Sequence, residues 1–171
     1  MSASERKNQR GAAMVEMALT LVIFLMLVFG IIEFALAYLS WHRTAEAVRE
    51  GARHAIVSTP VTSLAGLSCP GGAAITTTCT AASCPGLFAV MRRVDPLLGN
   101  GPEQVAVTYA CSGAGSPDRP VELVIPEVTV SVTGLRYTFV VPGIIGLGSN
   151  IELPAVTVTR TGEDLYSPPG E

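Results

Sequence analysis

Two histidines and four cysteines are the side chains whose chemistry could most readily support catalysis or metal binding. His42 and His54 lie twelve residues apart in a helical pattern, so they project about 120° apart and cannot chelate one ion together. The cysteines follow the spacing C-x9-C-x4-C-x26-C, which lacks the closely spaced pairs of structural zinc sites. The glycine-rich stretches lack the lysine of a phosphate-binding loop. The sequence therefore predicts no enzyme, no cofactor and no metal site.

The cysteines are better suited to disulfides. Cys69, Cys79, Cys84 and Cys111 all follow a long apolar segment, which favours an oxidising compartment for the C-terminal part of the chain. Four cysteines can pair in several ways. One pairing joins Cys79 to Cys84 in a small loop and leaves Cys69 with Cys111. A second joins Cys69 to Cys79 and Cys84 to Cys111, and the spacing does not decide between them.

Two carboxylates lie in or beside the apolar N-terminal segment. From Met17 to Leu39 the only charge is Glu33, and Glu16 directly precedes this stretch. A helix of this length rises about 35 Å, enough to cross a bilayer. An unpaired carboxylate costs on the order of a few kcal/mol in that setting, so both are candidate functional residues. We expect Glu33 near the outer interface, about 26 Å beyond Glu16, with a helix–helix contact as the alternative.

The orientation of this segment follows from its flanks. Three Lys or Arg residues lie on each side of it, so the positive-inside rule gives only weak asymmetry. The cysteines favour a cytoplasmic N-terminus and an extracytoplasmic C-terminal domain. Two other interpretations remain open: an uncleaved anchor, and a signal peptide cut after Ala35-Leu36-Ala37. The apolar run exceeds a usual signal-peptide core, and its helical pattern continues through Ala37.

The residues at the start of the apolar segment resemble a known processing motif. Residues 11–16, GAAMVE, resemble the prepilin-peptidase site of type IV pilin-like proteins, with glycine before the cut and glutamate fifth in the mature chain. Residues 10–19, 29–34 and 47–53 resemble the TadE-like family, minor pseudopilins of the tight-adherence (Flp) pilus. Met17 stands where that family commonly has an aromatic residue, which leaves the cut site undisturbed.

The resemblance implies cleavage between Gly11 and Ala12 by a prepilin peptidase. It also implies that Glu16 pairs with the freed Ala12 amine of a neighbouring subunit, so that assembly neutralises both charges. The expected partners are the peptidase, other pilin-like subunits, the pilus assembly platform and lipid of the cytoplasmic (inner) membrane. The subunit could also be incorporated in a surface pilus.

Composition argues against other classes of partner. The eleven Lys and Arg residues are scattered and the net charge is −3, so no nucleic-acid partner is expected. No small-molecule substrate is expected either. The alternative function is a single-pass anchored domain that binds an extracytoplasmic ligand or partner and has no role in pili.

The predicted fold class is α+β, with a long N-terminal helix packed on a small antiparallel sheet. Residues 1–11 form a basic leader, 12–39 the transmembrane half of the helix and 40–58 an amphipathic extension. In the extension, apolar residues recur at spacings of three and four. They are Trp41, Ala45, Val48, Ala52, Ala55 and Ile56.

Composition and hydrophobic periodicity divide the remainder of the chain into three regions. Residues 59–103 form a cysteine-containing loop region with a short helix over 87–94. Residues 104–161 form the sheet, whose apolar face covers the amphipathic helix, and 162–171 a mobile tail. Period-two alternation predicts strands at 105–109, 121–125, 128–133, 135–141 and 156–159. A hairpin turn is predicted at Thr133-Gly134 and a loop over 142–148.

Overall fold

A computed structural model describes residues 3–67, 72–111, 126–141 and 150–162 of the chain. The strand predicted at 121–125, the loop at 142–148, Cys69 and the tail from 163 onward lie outside the described residues. The described elements, in chain order, are α1 Ala3–Val57, β1 Ile75–Cys79, α2 Pro85–Val94, β2 Gln104–Cys111, β3 Pro126–Thr133, β4 Arg136–Thr138, β5 Asn150–Glu152 and β6 Val156–Thr161.

Helix α1 begins earlier than predicted and ends where predicted. It starts at Ala3 rather than at residue 12, because residues 3–10 contain no glycine or proline and include several good helix formers. It ends at Val57, where the Ser58 N–H donates to the His54 carbonyl at 3.0 Å. Pro60 follows, and the residue before a proline is restricted away from helical geometry.

The first part of α1 is an apolar helix with almost no packing partners. Every residue from 11 to 27 is exposed. Within the described ranges, α1 is the one helix long and apolar enough to cross a membrane. An apolar surface that stays exposed over so many turns is typical of a membrane span rather than of a core helix.

The chain divides into two compact units. One contains Met1–Leu39 together with Thr138–Ile151. In this unit the Thr138 hydroxyl donates to Oδ1 of Asn150 at 2.8 Å. The other unit contains Ser40–Tyr137 together with Glu152–Glu171.

The second unit is built on a four-stranded antiparallel sheet of order β1-β2-β3-β6. Its register places Val107 opposite Val130, and Val130 opposite Val158. One face carries buried valine and tyrosine side chains from the two central strands. They are Val105, Val107, Tyr109, Val128, Val130 and Val132.

The C-terminal part of α1 and helix α2 share a hydrophobic core with this face. The buried stripe of α1 contains Ala45, Val48, Ala52 and Ala55, together with Ala47. Small side chains let the helix backbone approach its neighbours closely, as a close-packed interior requires. The predicted α+β class, with a long apolar helix packed on a small antiparallel sheet, is therefore confirmed.

Three sequence predictions about strands need correction. The strand predicted at 135–141 is shorter, because β4 ends at Thr138 and residues 140 and 141 are helical. Residues 75–79 were placed in a loop, yet they form β1 and pair with β2 from Ile75–Tyr109 to Cys79–Val105. Gly134 does turn the chain, with φ of +73°, but β3 and β4 do not form a hairpin. β3 pairs with β2 and β6, whereas β4 pairs with β5 in a separate two-stranded sheet.

Candidate functional site

The predicted cleavage site lies within helix α1. Gly11 and Ala12 are both exposed and helical, and a Cβ built on Gly11 would meet no atom within 4 Å. Glycine is less favourable in a helix interior than alanine by about 1 kcal/mol. The helix is therefore weakest locally at the bond that would be cut, and that bond is open to solvent or to another protein.

Glu16 lies one turn further along the same helix. It is exposed, and within the described residues its carboxylate makes no hydrogen bond or ion pair. Its main-chain carbonyl accepts the Thr20 hydroxyl at 2.9 Å. Glu16 shares a shallow face of α1 with mostly apolar side chains: Ala13, Met17, Thr20, Leu21 and Phe24. The carboxylate is thus presented on an apolar surface and is available to a partner outside the chain.

Unlike Glu16, Glu33 is buried and its carboxylate is hydrogen-bonded. It is 8% exposed although it lies in the apolar helix. Its Oε1 accepts main-chain N–H groups from Val140 at 2.7 Å and from Val141 at 2.8 Å. The sequence placed Glu33 near the outer interface or in a helix–helix contact. Here its contacts are with the backbone of its own chain, and no local sequence pattern around residue 140 signals that role.

Two hydrogen bonds within the second unit join the C-terminal part of α1 to other segments of the chain. The Trp41 indole N–H donates to the Pro154 carbonyl at 3.2 Å. The Thr44 hydroxyl, which is buried, donates to Oδ2 of Asp95 at 2.8 Å. Asp95 follows α2 directly. These two hydrogen bonds fix the C-terminal part of α1 on the rest of the second unit.

Two pairs of opposite charges lie in contact on the exposed side of α1. Arg49 contacts Glu46 at 2.9 Å, and Arg53 contacts Glu50 at 3.6 Å. Both pairs are well exposed, so each contributes at most a few tenths of a kcal/mol. They solubilise this face of the helix and carry no chemistry of their own.

The disulfide in the described residues agrees with the first predicted pairing, in which Cys79 is joined to Cys84. Cys79 is bonded to Cys84, which joins the end of β1 to the residue before α2. Cys111 is also disulfide-bonded, and Cys69 lies outside the described residues. The pairing of Cys69 with Cys79 and of Cys84 with Cys111 is therefore wrong.

The histidines lie in separate surroundings. His42 packs edge-on against Trp41, with ring centroids 5.2 Å apart. His54 lies beside Gly86, at the start of α2. Over the part of the chain that the structure describes, no group of three or more His, Cys, Asp or Glu side chains could hold a metal ion.

The part of the chain that carries Gly11, Glu16 and the exposed apolar surface of α1 matches a known family. Residues 11–53 match the TadE family, described as TadE-like protein. The resemblance predicted from the sequence is confirmed over this TadE-like segment. The match begins at the glycine of the predicted cut and includes Ala45, Val48 and Ala52 of the buried stripe of α1. No curated protein and no solved structure matches the chain.

Proposed function

We propose that this chain is a minor pilin-like structural and assembly subunit of a tight-adherence (Flp, type IVb-like) pilus or a related secretion apparatus. In this proposal a prepilin peptidase of the cytoplasmic membrane cuts between Gly11 and Ala12. The first part of α1 holds the subunit in the membrane, with the N-terminus cytoplasmic and the disulfide-bonded domain outside. The match of residues 11–53 to TadE-like proteins supports a role associated with this pilus.

The observation that carries the proposal is the contrast between the two carboxylates of the apolar helix. Glu33 is satisfied by main-chain N–H groups of its own chain, whereas Glu16 is exposed on an apolar face. A carboxylate left so near the hydrocarbon costs on the order of a few kcal/mol. An opposite charge supplied by another subunit offsets that cost, which couples the neutralisation of Glu16 to assembly.

Cleavage would supply the opposite charge at the same depth. Ala12 lies four residues before Glu16, about 6 Å along the helix axis. A freed Ala12 amine on one subunit and Glu16 on its neighbour would meet when parallel helices pack with a small axial offset. The apolar side chains around Glu16 exclude water and strengthen this attraction.

The assembly role is tested by co-recovery with the other pilus components from the host membrane. Glu16→Gln keeps the shape of the side chain and removes its charge, so we expect loss of co-recovery with normal processing. Thr20→Val, on the same helix face, is the matched control and should leave co-recovery unchanged. Full co-recovery of the Glu16→Gln variant would contradict the proposal and favour an anchored domain that binds an unrelated extracytoplasmic partner.

A further inference from the structure

The contact between Glu33 and the Val140–Val141 backbone fixes the depth of a second segment relative to the apolar helix. A hydrocarbon core about 30 Å thick corresponds to about 20 residues of helix. Counted from Ala12, that length ends at Ile31, less than one helical turn before Glu33. Because the Val140 N–H lies 2.7 Å from Glu33 Oε1, Val140 shares the depth of that carboxylate at the boundary between hydrocarbon and headgroups.

We infer that Val140 and Val141 form a second membrane contact, held at the lipid surface by the carboxylate of Glu33. The partner is a lipid surface rather than a protein. The inference depends on α1 crossing a bilayer and does not depend on pilus assembly.

The exposure of Val140, and the apolar surface that it shares with α1, favour lipid as the partner. Val140 is 66% exposed although it is apolar. It belongs to the same unit as the apolar half of α1, whose Ile32 and Leu36 are 48% and 50% exposed. The apolar surface at this depth therefore includes side chains from both segments, and a bilayer that covers one reaches the other.

Val140 and Val141 are helical and begin a helical stretch, and the first N–H groups of a helix have no partner within that helix. Main-chain N–H groups beside hydrocarbon must have a partner inside the protein, because lipid offers none. The N–H groups of Val140 and Val141 have theirs in Glu33. In turn, the N–H groups offset the cost of a carboxylate in an apolar helix. The carboxylate and the two N–H groups therefore each lower the free-energy cost of placing the other at the lipid boundary.

The inference is tested with a tryptophan introduced at position 140 of the full chain. Val140→Trp leaves the two hydrogen bonds in place, since these use the main chain. The protein is reconstituted in vesicles of phosphatidylcholine and phosphatidylglycerol with brominated or unbrominated chains, and the signal of Trp41 is subtracted with the parent protein. Phe29→Trp, within the span, is the reference. We expect both added tryptophans to lose fluorescence in brominated lipid and to emit at shorter wavelength than in water.

The role of Glu33 is tested in the same vesicles. Glu33→Gln keeps a side-chain oxygen that can accept both N–H groups, so quenching at position 140 should persist. Glu33→Ala removes that acceptor and should abolish quenching at position 140 while quenching at position 29 remains. The inference is overturned if position 140 is not quenched in the parent background, if Glu33→Ala leaves it quenched, or if position 29 is not quenched.

Discussion

The hydroxyl of Thr44 on α1 donates a 2.8 Å hydrogen bond to Oδ2 of Asp95, and this bond joins α1 to the end of α2. Oδ1 of Asp95 accepts the Leu97 N–H at 3.3 Å. Asp95→Ala removes both acceptors, so we expect the free energy of unfolding to fall by about 1–3 kcal/mol. The measurement is urea unfolding in detergent, followed by Trp41 fluorescence.

A surface ion pair on the same helix provides the control for that experiment. Arg49 and Glu46 contact each other at 2.9 Å, but each side chain is 56% exposed. Arg49→Ala should therefore change the free energy of unfolding by less than about 0.5 kcal/mol. A loss in this variant as large as that of Asp95→Ala would contradict the importance assigned to the buried bond.

At Gly51, a larger residue is predicted to destabilise the fold because α1 packs closely against the α2 side chains there. A Cβ at this position would lie 2.8 Å from Met91 Cγ and 3.3 Å from Leu87 Cδ1. Met91 is fully buried, so it has little room to move away. We expect Gly51→Ala to lower the free energy of unfolding by about 1 kcal/mol, since overpacking outweighs the gain in helix propensity.

The contact between Gly51 and Met91 also predicts how Met91→Ala changes the free energy of unfolding, alone and combined with Gly51→Ala. Met91→Ala alone leaves a cavity and should cost about 2–5 kcal/mol. Combined with Gly51→Ala, the cost should be smaller than the sum of the two single costs, because the new methyl group then has space. Simple additivity in the urea experiment would show that Gly51 and Met91 are not coupled.

The parts of the fold that the sequence predicted are those fixed by local periodicity. The stripe of Ala45, Val48 and Ala52 shows which side of α1 faces a core, and all three are buried. Alternation along β2 and β3 likewise identifies the buried face of each strand. Periodicity reports faces because a side chain's direction depends only on its neighbours in the chain.

Strand partners and long-range polar contacts were not predictable in this way. β6 pairs with β3, although the chain between them also forms β4 and β5, and alternation carries no information on order in a sheet. β1 was missed because its Ile-Thr-Thr-Thr-Cys sequence has little apolar alternation. Its β-branched residues were the available signal.

In the candidate site, too, local features were predictable from the sequence and long-range contacts were not. The motif at Gly11, Ala12 and Glu16 is local and was visible in the sequence. The environment of Glu33 depends on backbone groups more than a hundred residues away, which no local pattern encodes.

Tyr109 should make the stability of the second unit depend on pH in alkaline solution. Burial raises the pKa of its hydroxyl above the ordinary value of 10.0, an effect that the hydrogen bond from the Val61 N–H partly offsets. The folded state therefore holds the proton more tightly than the unfolded chain. This contribution is complete below about pH 10 and is lost as the pH rises through the folded-state pKa.

The Tyr109 prediction is measured as the urea midpoint between about pH 8 and about pH 11. The parent should lose stability over the upper part of this range. Tyr109→Phe should start lower by about 1 kcal/mol, since the Val61 N–H loses its acceptor, and should show a shallower decline. Equal declines in the two proteins would assign the pH dependence to other groups.

The Cys79–Cys84 bond should stabilise the second unit moderately. The two cysteines are five positions apart and both are 3% exposed. A loop this short predicts a contribution of about 2 kcal/mol from the restricted unfolded chain. The Cys79→Ala/Cys84→Ala double variant should lower the free energy of unfolding by that amount and keep its fold. An unchanged urea midpoint would show that the bond contributes nothing.

The N-terminus of the protein recovered from its host's membranes tests the central claim most directly. Intact mass should show a chain that begins at Ala12. Gly11→Leu should leave the chain uncut, while Gly30→Leu, at a second helix position where a Cβ meets no atom within 4 Å, should be processed normally. An unprocessed parent chain, or one that begins at Tyr38 after signal-peptide cleavage, would contradict the pilin-like account.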